Sequence, residues 1–139
     1  MALFYEGSIL TCMTSIFSKI INGDIPGYKV YEDDCVCAIL DIHPMQKGHV
    51  LVIPKQEVDQ LFDLDERTYD RVMHRVRYLA QVMKAKLKCQ RVCVLVEGYL
   101  VPHAHVHLIP TNTLDDFDKK HVYDASQEEL EEMQKILQS

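Results

Sequence analysis

The sequence predicts an α+β fold: a five-stranded antiparallel sheet with a short N-terminal helix, a long central helix and a C-terminal helix. The 139 residues fit one compact domain with a single core. Five β-rich runs are separated mostly by short turns, which favours sequential antiparallel pairing. A long helical period between the third and fourth runs can cover the sheet, so we expect helices on one face.

The five predicted strands are apolar runs bounded by turn residues. Little more than Asp33 and Asp34 separates the first two runs, which predicts a hairpin. The third run follows the loop HPMQKG, and Gly98 marks the turn between the last two. In chain order, the runs are GYKVYED, CVCAILDI, HVLVIP, CQRVCVLVEG and VPHAHVHLIP.

Apolar residues at helical spacing predict the first two helices. The segment SIFSKIING carries the short N-terminal helix, which ends at Asn22 and Gly23. Asp63 followed by Glu66 resembles a capping box that opens the central helix. The apolar residues that then recur at helical spacing are Tyr69, Val72, Met73, Val76, Leu79, Ala80, Met83 and Leu87.

A third helix is predicted near the C-terminus. Ser126 and Glu129 form a second capping-box pattern, which opens this helix. Leu130, Met133 and Leu137 then share one apolar face. We expect that face to dock on the domain.

Composition and charge narrow the possible classes of protein. Hydrophobic residues make up 47% of the chain and charged residues 26%, which is typical of a globular protein. The apolar runs are far too short to span a bilayer, and the first dozen residues lack the basic start of a secretory signal. A formal net charge of −6 argues against a large nucleic-acid interface, although histidines and main-chain amides still suit a small anionic ligand. We therefore expect neither a membrane nor a nucleic acid as a partner.

The five cysteines are predicted to be reduced and mostly buried. Their odd number, in a domain large enough to fold without cross-links, disfavours a disulfide framework. Cys35 and Cys37 alternate on an apolar run, which indicates a packed strand face rather than a redox or zinc pair. Reduced thiols favour an intracellular protein, and we expect a cytoplasmic location with the nucleus as the alternative.

The most informative motif is VPHAHVHLIP, which places His103, His105 and His107 at every second position. On an extended strand such side chains share one face and lie about 6.6 Å apart. The first and third are then too far apart to bind one zinc ion, whose ligands lie about 2 Å from the metal. A solvent-facing polar strand is the plainer interpretation, but the apolar opposite face fixes the register and groups the imidazoles. Such a cluster suggests chemistry near neutral pH.

The triad and its flanking segments resemble one protein family. HAHVHLI matches the signature of the histidine triad (HIT) family, in which three histidines alternate with apolar residues. SIFSKIINGDIP and YEDDCVCAILDIHPMQKGHVLVIPK also look like that family, in its usual order. The resemblance implies a HIT-like α+β fold, a homodimer, and nucleotide hydrolysis or transfer at the α-phosphate. It divides the chain into a loosely ordered N-terminal extension (1–13), a HIT domain (14–112) and an acidic C-terminal extension with a helix (113–139).

The resemblance implies a role for each of four histidines. By motif position, His105 is the nucleophile that forms a nucleotidyl-histidine intermediate with the α-phosphorus. His107 and His49 are expected to hydrogen-bond the phosphate and leaving-group oxygens, and His103 to support and orient the site. Because such donors stabilise the charge on phosphoryl oxygens, this scheme requires no metal or other cofactor.

The resemblance also implies the residues that hold a purine nucleotide. Asp41 is expected to accept hydrogen bonds from the ribose hydroxyls, although an aspartate that merely opens a turn is the plainer interpretation. His49 and His107 belong to the same expected set, at the phosphate. The apolar slot for the base is expected to consist of Phe17, Ile20, Ile39 and Ile42.

The chain departs from the family pattern at two places. Some members bind a structural zinc ion through a Cys-x-x-Cys pair, a later histidine and a triad histidine, where this chain has Ser15, Ser18 and Glu57. We therefore predict no zinc. The segment before the triad is shorter than the glycine-containing loop of many members, and it carries Tyr99 and Leu100. Because of this change, the sequence does not indicate which leaving group the reaction releases.

Four functions are compatible with these residues. The first is a phosphoramidase-like hydrolase that releases AMP or GMP from purine nucleotide conjugates, and the second is a dinucleoside-polyphosphate hydrolase. Retention of His107 favours hydrolysis over sugar-nucleotide transfer, where glutamine commonly takes its place. Tyr99 and Leu100 suggest the third, a nucleotide-binding or interaction protein with little turnover. A metal-binding module is the fourth.

Overall fold

The computed structural model describes residues 14–138, so the predicted N-terminal extension and Cys12 lie outside the described part. Within that part, no helix combines the length and apolarity that a membrane span requires. The helices are α1 (Ile16–Asn22), α2 (Glu66–Leu87) and α3 (Gln127–Gln138). The strands are β1 (Lys29–Glu32), β2 (Val36–Leu40), β3 (Val50–Pro54), β4 (Arg91–Leu95) and β5 (Val106–Thr111).

The five strands form one antiparallel sheet in the order β1-β2-β3-β5-β4. Strand β5 inserts between β3 and β4, because α2 carries the chain across the sheet before β4 and β5 form the last hairpin. The predicted fold class is confirmed. The strand that carries the end of the histidine motif therefore lies inside the sheet, with a partner on each side.

Helices α2 and α3 cover one face of the sheet and build the larger core. The sheet contributes alternate residues, such as Ala38 of β2 and Leu108 of β5. Full burial of a large apolar side chain such as that of Leu108 contributes about 1.5–3 kcal/mol to stability. The predicted docking of the C-terminal helix is confirmed, because its three apolar residues are buried in this core. The buried helical residues are Val72, Val76, Leu79, Met83, Leu130, Met133 and Leu137.

Helix α1 packs on the opposite face, so the expectation of helices on one face is wrong for this helix. Phe17 and Ile20 of α1 contact a second buried cluster that includes Ile39 and Leu51. The physical reason lies in β2 and β3, whose residues are all buried on both faces. A strand that is apolar on both sides needs a cover on each.

The cysteines in the described residues are free thiols. Cys35 and Cys37 are both buried, as predicted, but they do not share a face. Cys35 precedes β2 and packs in the core under α2, whereas Cys37 lies in the cluster under α1. Burial raises the pKa of the Cys37 thiol to about 11, so it is unreactive at neutral pH.

The two longer helices begin at residues with capping side chains. Helix α2 begins after Asp65, whose carboxylate accepts a hydrogen bond from the Thr68 amide, so the predicted cap at Asp63 is wrong. Ser126 caps α3 as predicted, since its hydroxyl accepts from the Glu129 amide at 3.1 Å. In a full capping box the Glu129 side chain would accept from the Ser126 amide. Here the Glu129 carboxylate accepts a hydrogen bond from the Tyr123 hydroxyl instead.

Candidate active site

Histidines from two segments of the chain meet on the sheet face that carries α1. His107 of β5 lies opposite Leu51 of β3, which pairs in turn with Ile39 of β2, so the three side chains form a row across the sheet. The His107 ring centroid lies 5.0 Å from that of His105 and 5.1 Å from that of His49. The structure thus brings together three of the four predicted catalytic histidines.

Only the last triad histidine lies on a strand. Strand β5 begins at Val106, whereas the sequence predicts an extended strand across all three histidines. The His103 amide instead donates to the Val101 carbonyl, which closes a turn, and the Ala104 amide donates to the Val58 carbonyl at 2.7 Å. Because the chain turns before β5, the ring of His103 leaves the row formed by the others.

The main chain holds the ring of His105 in one tautomer. Its Nδ1 lies 2.7 Å from the His103 carbonyl oxygen, and since that oxygen only accepts, Nδ1–H is the donor. In a neutral ring Nε2 then carries the lone pair. This is the tautomer that a nucleophilic imidazole requires.

Hydrogen bonds also place the protons on His49 and His107. The Met45 amide donates to His49 Nδ1 at 3.0 Å, so a neutral His49 carries its proton on Nε2. That Nε2–H donates to His107 Nδ1 at 2.9 Å, which leaves the proton of His107 on Nε2. Among the described residues, His107 Nε2 is a buried side-chain atom without a hydrogen-bond partner. Since an unpaired buried N–H is costly, this group is a candidate donor to a ligand oxygen.

Burial keeps these two rings neutral. It lowers the pKa of His49 to about 3 and that of His107 to about 4, from an ordinary value of 6.5. Protonation of the neighbouring ring would lower each pKa further, through His107 for His49 and through His105 for His107. The two hydrogen bonds from the Met45 amide to His49 and from His49 to His107 require neutral rings, because each ring must have one accepting and one donating nitrogen.

His103 lies behind the site rather than in it. Its side chain is 0% exposed, and its Nε2–H donates to the Pro54 carbonyl at 2.7 Å. The hydroxyl of Ser15 lies 2.6 Å from Nδ1 and donates to it, because burial lowers the pKa of His103 and keeps the ring neutral. With both ring nitrogens engaged, His103 can act on the site through its carbonyl bond to His105. The supporting role expected of His103 stays a prediction.

Three of the four residues predicted for the base slot line one apolar wall beside the histidines. Phe17, Ile20 and Ile39 belong to the buried cluster under α1. The Phe17 ring meets that of His105 edge-on, with centroids 4.9 Å apart. Ile42, the fourth, is 51% exposed just beyond β2 and lies outside this cluster, so it faces solvent where a ligand could contact it.

Asp41 combines the two interpretations offered by the sequence. One carboxylate oxygen accepts from the His43 amide at 2.9 Å and closes the turn after β2. The other lies 3.7 Å from His49 Nε2, on the side of the histidines. Burial raises the pKa of this carboxyl. The second oxygen can still accept a hydrogen bond from a ligand hydroxyl.

The same corner offers three atoms that could bind a metal ion. Ligand atoms of Asp41, His49 and His107 lie within 4.8 Å of one another. His49 Nε2 and His107 Nδ1 are already joined by a hydrogen bond, so a metal would have to displace that proton. With the protons in these positions, the three atoms are not a free set of metal ligands.

Sequence patterns do not single out the main-chain groups that orient the rings. The Met45 amide and the Pro54 carbonyl fix two tautomers, and no residue type encodes such contacts. Leu51, by contrast, could have been found, because it alternates with His49 and Ile53 along the predicted third strand. Its place in the apolar wall follows from that alternation.

Fold and site together define a class: a small α+β protein with neutral, oriented imidazoles beside an apolar wall, suited to a ligand that carries a phosphoryl group. The family model of the HIT domain matches residues 22–114. The chain belongs to this family, so the resemblance drawn from its histidine motif is confirmed.

Several known proteins are similar to this chain. A HIT-like protein of Borreliella burgdorferi is 38% identical over 112 residues, covering 76% of this chain and 81% of that protein. An adenosine 5'-monophosphoramidase of Schizosaccharomyces pombe is 36% identical over 103 residues, covering 70% of this chain and 74% of that enzyme. The crystal structure of a Hit-like protein involved in cell-cycle regulation from Bartonella henselae superposes with a TM-score of 0.80 at 33% identity, covering 91% of this chain and 95% of that one.

Proposed function

We propose that this protein is a nucleotide hydrolase that acts at the α-phosphate of purine nucleotide conjugates, in the manner of a nucleoside 5'-phosphoramidase. The observation that carries the proposal is the juxtaposition of a lone pair on His105 Nε2 and an unpartnered N–H on His107, whose rings lie 5.0 Å apart. Kinship with a protein named as an adenosine 5'-monophosphoramidase supports it.

The proposed reaction has two balanced steps. In the first, His105 Nε2 attacks the α-phosphorus, a P–N bond forms, and the bond to the leaving group breaks with its electron pair. The leaving group takes up a proton from solvent as it departs. In the second, water attacks the same phosphorus and releases a proton to solvent, the P–N bond breaks with its electron pair returning to Nε2, and the nucleoside monophosphate is released. The Nε2–H of His107 hydrogen-bonds a phosphoryl oxygen throughout and stabilises its developing charge.

In this scheme His49 acts on His107 rather than on the substrate. Its Nε2 proton already points to His107, so a contact with the leaving group would break that bond. The scheme thus assigns to His107 alone the phosphate contact that the sequence divides between the two histidines. Asp41 accepts from the ribose hydroxyls, and the wall of Phe17 and Ile39 contacts the base.

The test is turnover of purine phosphoramidates together with detection of the intermediate. We expect His105→Ala and His105→Gly to lose at least about 1,000-fold in kcat, because the covalent path is removed. Wild-type protein mixed with a slow substrate should carry one nucleotidyl group on His105, detected by mass spectrometry.

The exposed histidine His74 on α2 provides the matched control. His74→Ala should retain wild-type turnover and the adduct. Undiminished turnover in His105→Ala would show that another residue is the nucleophile. Equal background rates in all four proteins, with nucleotide still bound, would leave a binding protein.

The closest alternative is hydrolysis of dinucleoside polyphosphates by the same two steps. The loop before the triad favours testing it, because Tyr99 and Leu100 are 93% and 90% exposed where many family members carry a glycine-containing loop. Such a substrate should yield AMP plus a longer nucleotide. The ratio of kcat/KM for diadenosine polyphosphate to that for adenosine phosphoramidate decides between the two.

The same two exposed side chains favour a nucleotide-binding or interaction protein as the candidate from a different class. Its signature would be binding of AMP or GMP without an adduct on His105. Calorimetric titration with these nucleotides, beside the turnover assay, separates it from both hydrolases.

A further inference from the structure

Four side chains link α1 to the triad segment at the place where some HIT proteins hold zinc. They are Ser15, Ser18, Glu57 and His103, and they do not fit a zinc ion. Serine hydroxyls are not zinc ligands at neutral pH, and the Nδ1 lone pair of His103 already accepts a hydrogen bond. The link in this chain is therefore built from hydrogen bonds.

The hydroxyl of Ser15 has a defined direction. Ser15 caps α1, so its oxygen accepts from the Ser18 amide at 3.0 Å. Its proton is thus free to point at His103 Nδ1, at 2.6 Å. Because Ser15 is buried, water does not compete strongly for this bond.

Glu57 anchors the start of α1 from outside. Its Oε1 accepts from the Ser18 hydroxyl at 2.5 Å and from the Ser15 amide at 3.2 Å. The Ser18 hydrogen bond lowers the pKa of the Glu57 carboxyl, so it is ionised at neutral pH. The Glu57 carboxylate therefore holds both Ser15 and Ser18 in position beside His103.

The link reaches the reactive ring through the main chain. His103 is fixed at both nitrogens, by Ser15 and by the Pro54 carbonyl. Its own carbonyl accepts the Nδ1–H of His105, which selects the tautomer with a lone pair on Nε2. A displacement of His103 that carries its main chain along would move that carbonyl and weaken its bond to His105 Nδ1.

We propose that Ser15, held by Glu57, is a positioning residue for His105: its hydroxyl replaces a metal cross-link and fixes His103, whose carbonyl orients the reactive imidazole. The catalytic part of this inference rests on the proposed function. The structural part concerns only tautomers and stands without turnover.

The experiment compares Ser15→Ala with Ser15→Thr and Ser126→Ala. Ser126 is the matched control, because it is also a serine helix cap that accepts from an amide three residues on, but it lies at α3. Nitrogen-15 spectra of the histidine rings report the tautomers, and single-turnover rates across pH report the reaction.

We expect wild type and Ser126→Ala to show His105 protonated only on Nδ1. Ser15→Ala should show a tautomer mixture at His105 and a 10- to 100-fold slower transfer to His105, with KM changed less than threefold. Ser15→Thr, which restores a hydroxyl, should recover most of both signals. Metal analysis of wild-type protein should show less than 0.1 zinc per chain.

Unchanged His105 spectra in Ser15→Ala would overturn the inference, as would equal effects of Ser15→Ala and Ser126→Ala, or stoichiometric zinc. If Ser15→Ala does not fold, Glu57→Gln serves instead, because Glu57 is exposed and glutamine keeps the shape with a weaker acceptor. It should shift the same spectra by a smaller amount, and no shift would count against the inference. A wild type with the expected tautomers but no turnover would instead refute the proposed function alone.

Discussion

At the scale of single residues, the chemistry of this protein is decided by where protons lie on three rings. His49, His105 and His107 each engage one nitrogen with a fixed partner, and that partner determines what the other nitrogen offers. The carbonyl that accepts from His105 Nδ1 leaves a lone pair on His105 Nε2. The amide that donates to His49 Nδ1 places the His49 proton on Nε2, which donates to His107 Nδ1 and so leaves an N–H on His107 Nε2. Identical residue types therefore take up opposite roles.

The neutral state of these rings predicts how stability depends on pH. The pKa of His49 is lowered to about 3 and that of His107 to about 4, so the unfolded chain, with values near 6.5, binds protons more readily. Their stabilising contribution is complete above about pH 6.5 and is lost as the pH falls towards these folded-state values. As the pH falls from 7.5 to 5.5, each ring should lower the free energy of unfolding by roughly 1.4 kcal/mol.

Urea unfolding at the two pH values measures this loss. In His49→Gln the free energy of unfolding should change less between the two pH values, by about the contribution of one histidine, because glutamine does not titrate. His74→Gln, which alters an exposed ring, should keep the wild-type change. A change in His49→Gln equal to that of wild type would contradict the assignment.

At the scale of elements, the position of helix caps distinguishes what the sequence indicates from what the fold uses. Both Asp63 and Asp65 precede α2, and the Asp63–Glu66 spacing resembles a capping box. In the structure Asp63 lies in a short helical turn, and Asp65 accepts from the Thr68 amide. The turn through Leu61, which is buried, fixes where α2 can begin.

This difference gives a paired prediction. Asp65→Ala should lower the free energy of unfolding by about 1 kcal/mol, because it removes the cap of a long helix. Asp63→Ala should change it by less than about 0.5 kcal/mol, as is usual for surface substitutions. Urea denaturation of the two variants at pH 7.5 makes the comparison, and a larger loss in Asp63→Ala would show that the helix begins earlier.

At the scale of the whole molecule, the two edges of the sheet differ. Strand β1 is covered, because Gln134 and Gln138 of α3 donate to the Lys29 carbonyl at 2.9 and 2.8 Å. Strand β4 ends the sheet within the described residues and exposes 48% of Val94. Open apolar edges tend to pair with another chain. We therefore propose that the homodimer expected from the family forms through β4.

If two protomers pair through β4, a charge on this edge should separate them. Val94→Lys should shift the sedimenting species from dimer to monomer at micromolar concentration while far-ultraviolet circular dichroism stays unchanged. Val122→Lys is the matched control, since Val122 is also 48% exposed but lies on the C-terminal segment. A dimer that persists in Val94→Lys would place the interface elsewhere.

Much of the architecture is readable from the sequence, because local periods encode it. Alternation and helical spacing give the five strands, the three helices and the docking of α3. They do not give the insertion of β5 between β3 and β4 or the position of α1 on the opposite face. Those two features follow from how apolar surfaces that are distant in sequence cover one another.

The candidate site, too, is only partly predictable from the sequence. The motif indicates that His103, His105 and His107 act together, and the resemblance indicates which one reacts. The turn before β5, which removes His103 from the row, arises from the amide of Ala104 bonding to Val58, a contact across 46 residues. No local pattern predicts such a bond.

The sequence by itself determined the family, the fold class and the histidines that matter, because spacing and residue type are local properties. Only the tertiary structure decided which nitrogen of each ring holds its proton. The reason is physical: a tautomer is set by the partner of one nitrogen, and those partners, the amide of Met45 and the carbonyls of Pro54 and His103, are main-chain groups that the fold brings into place.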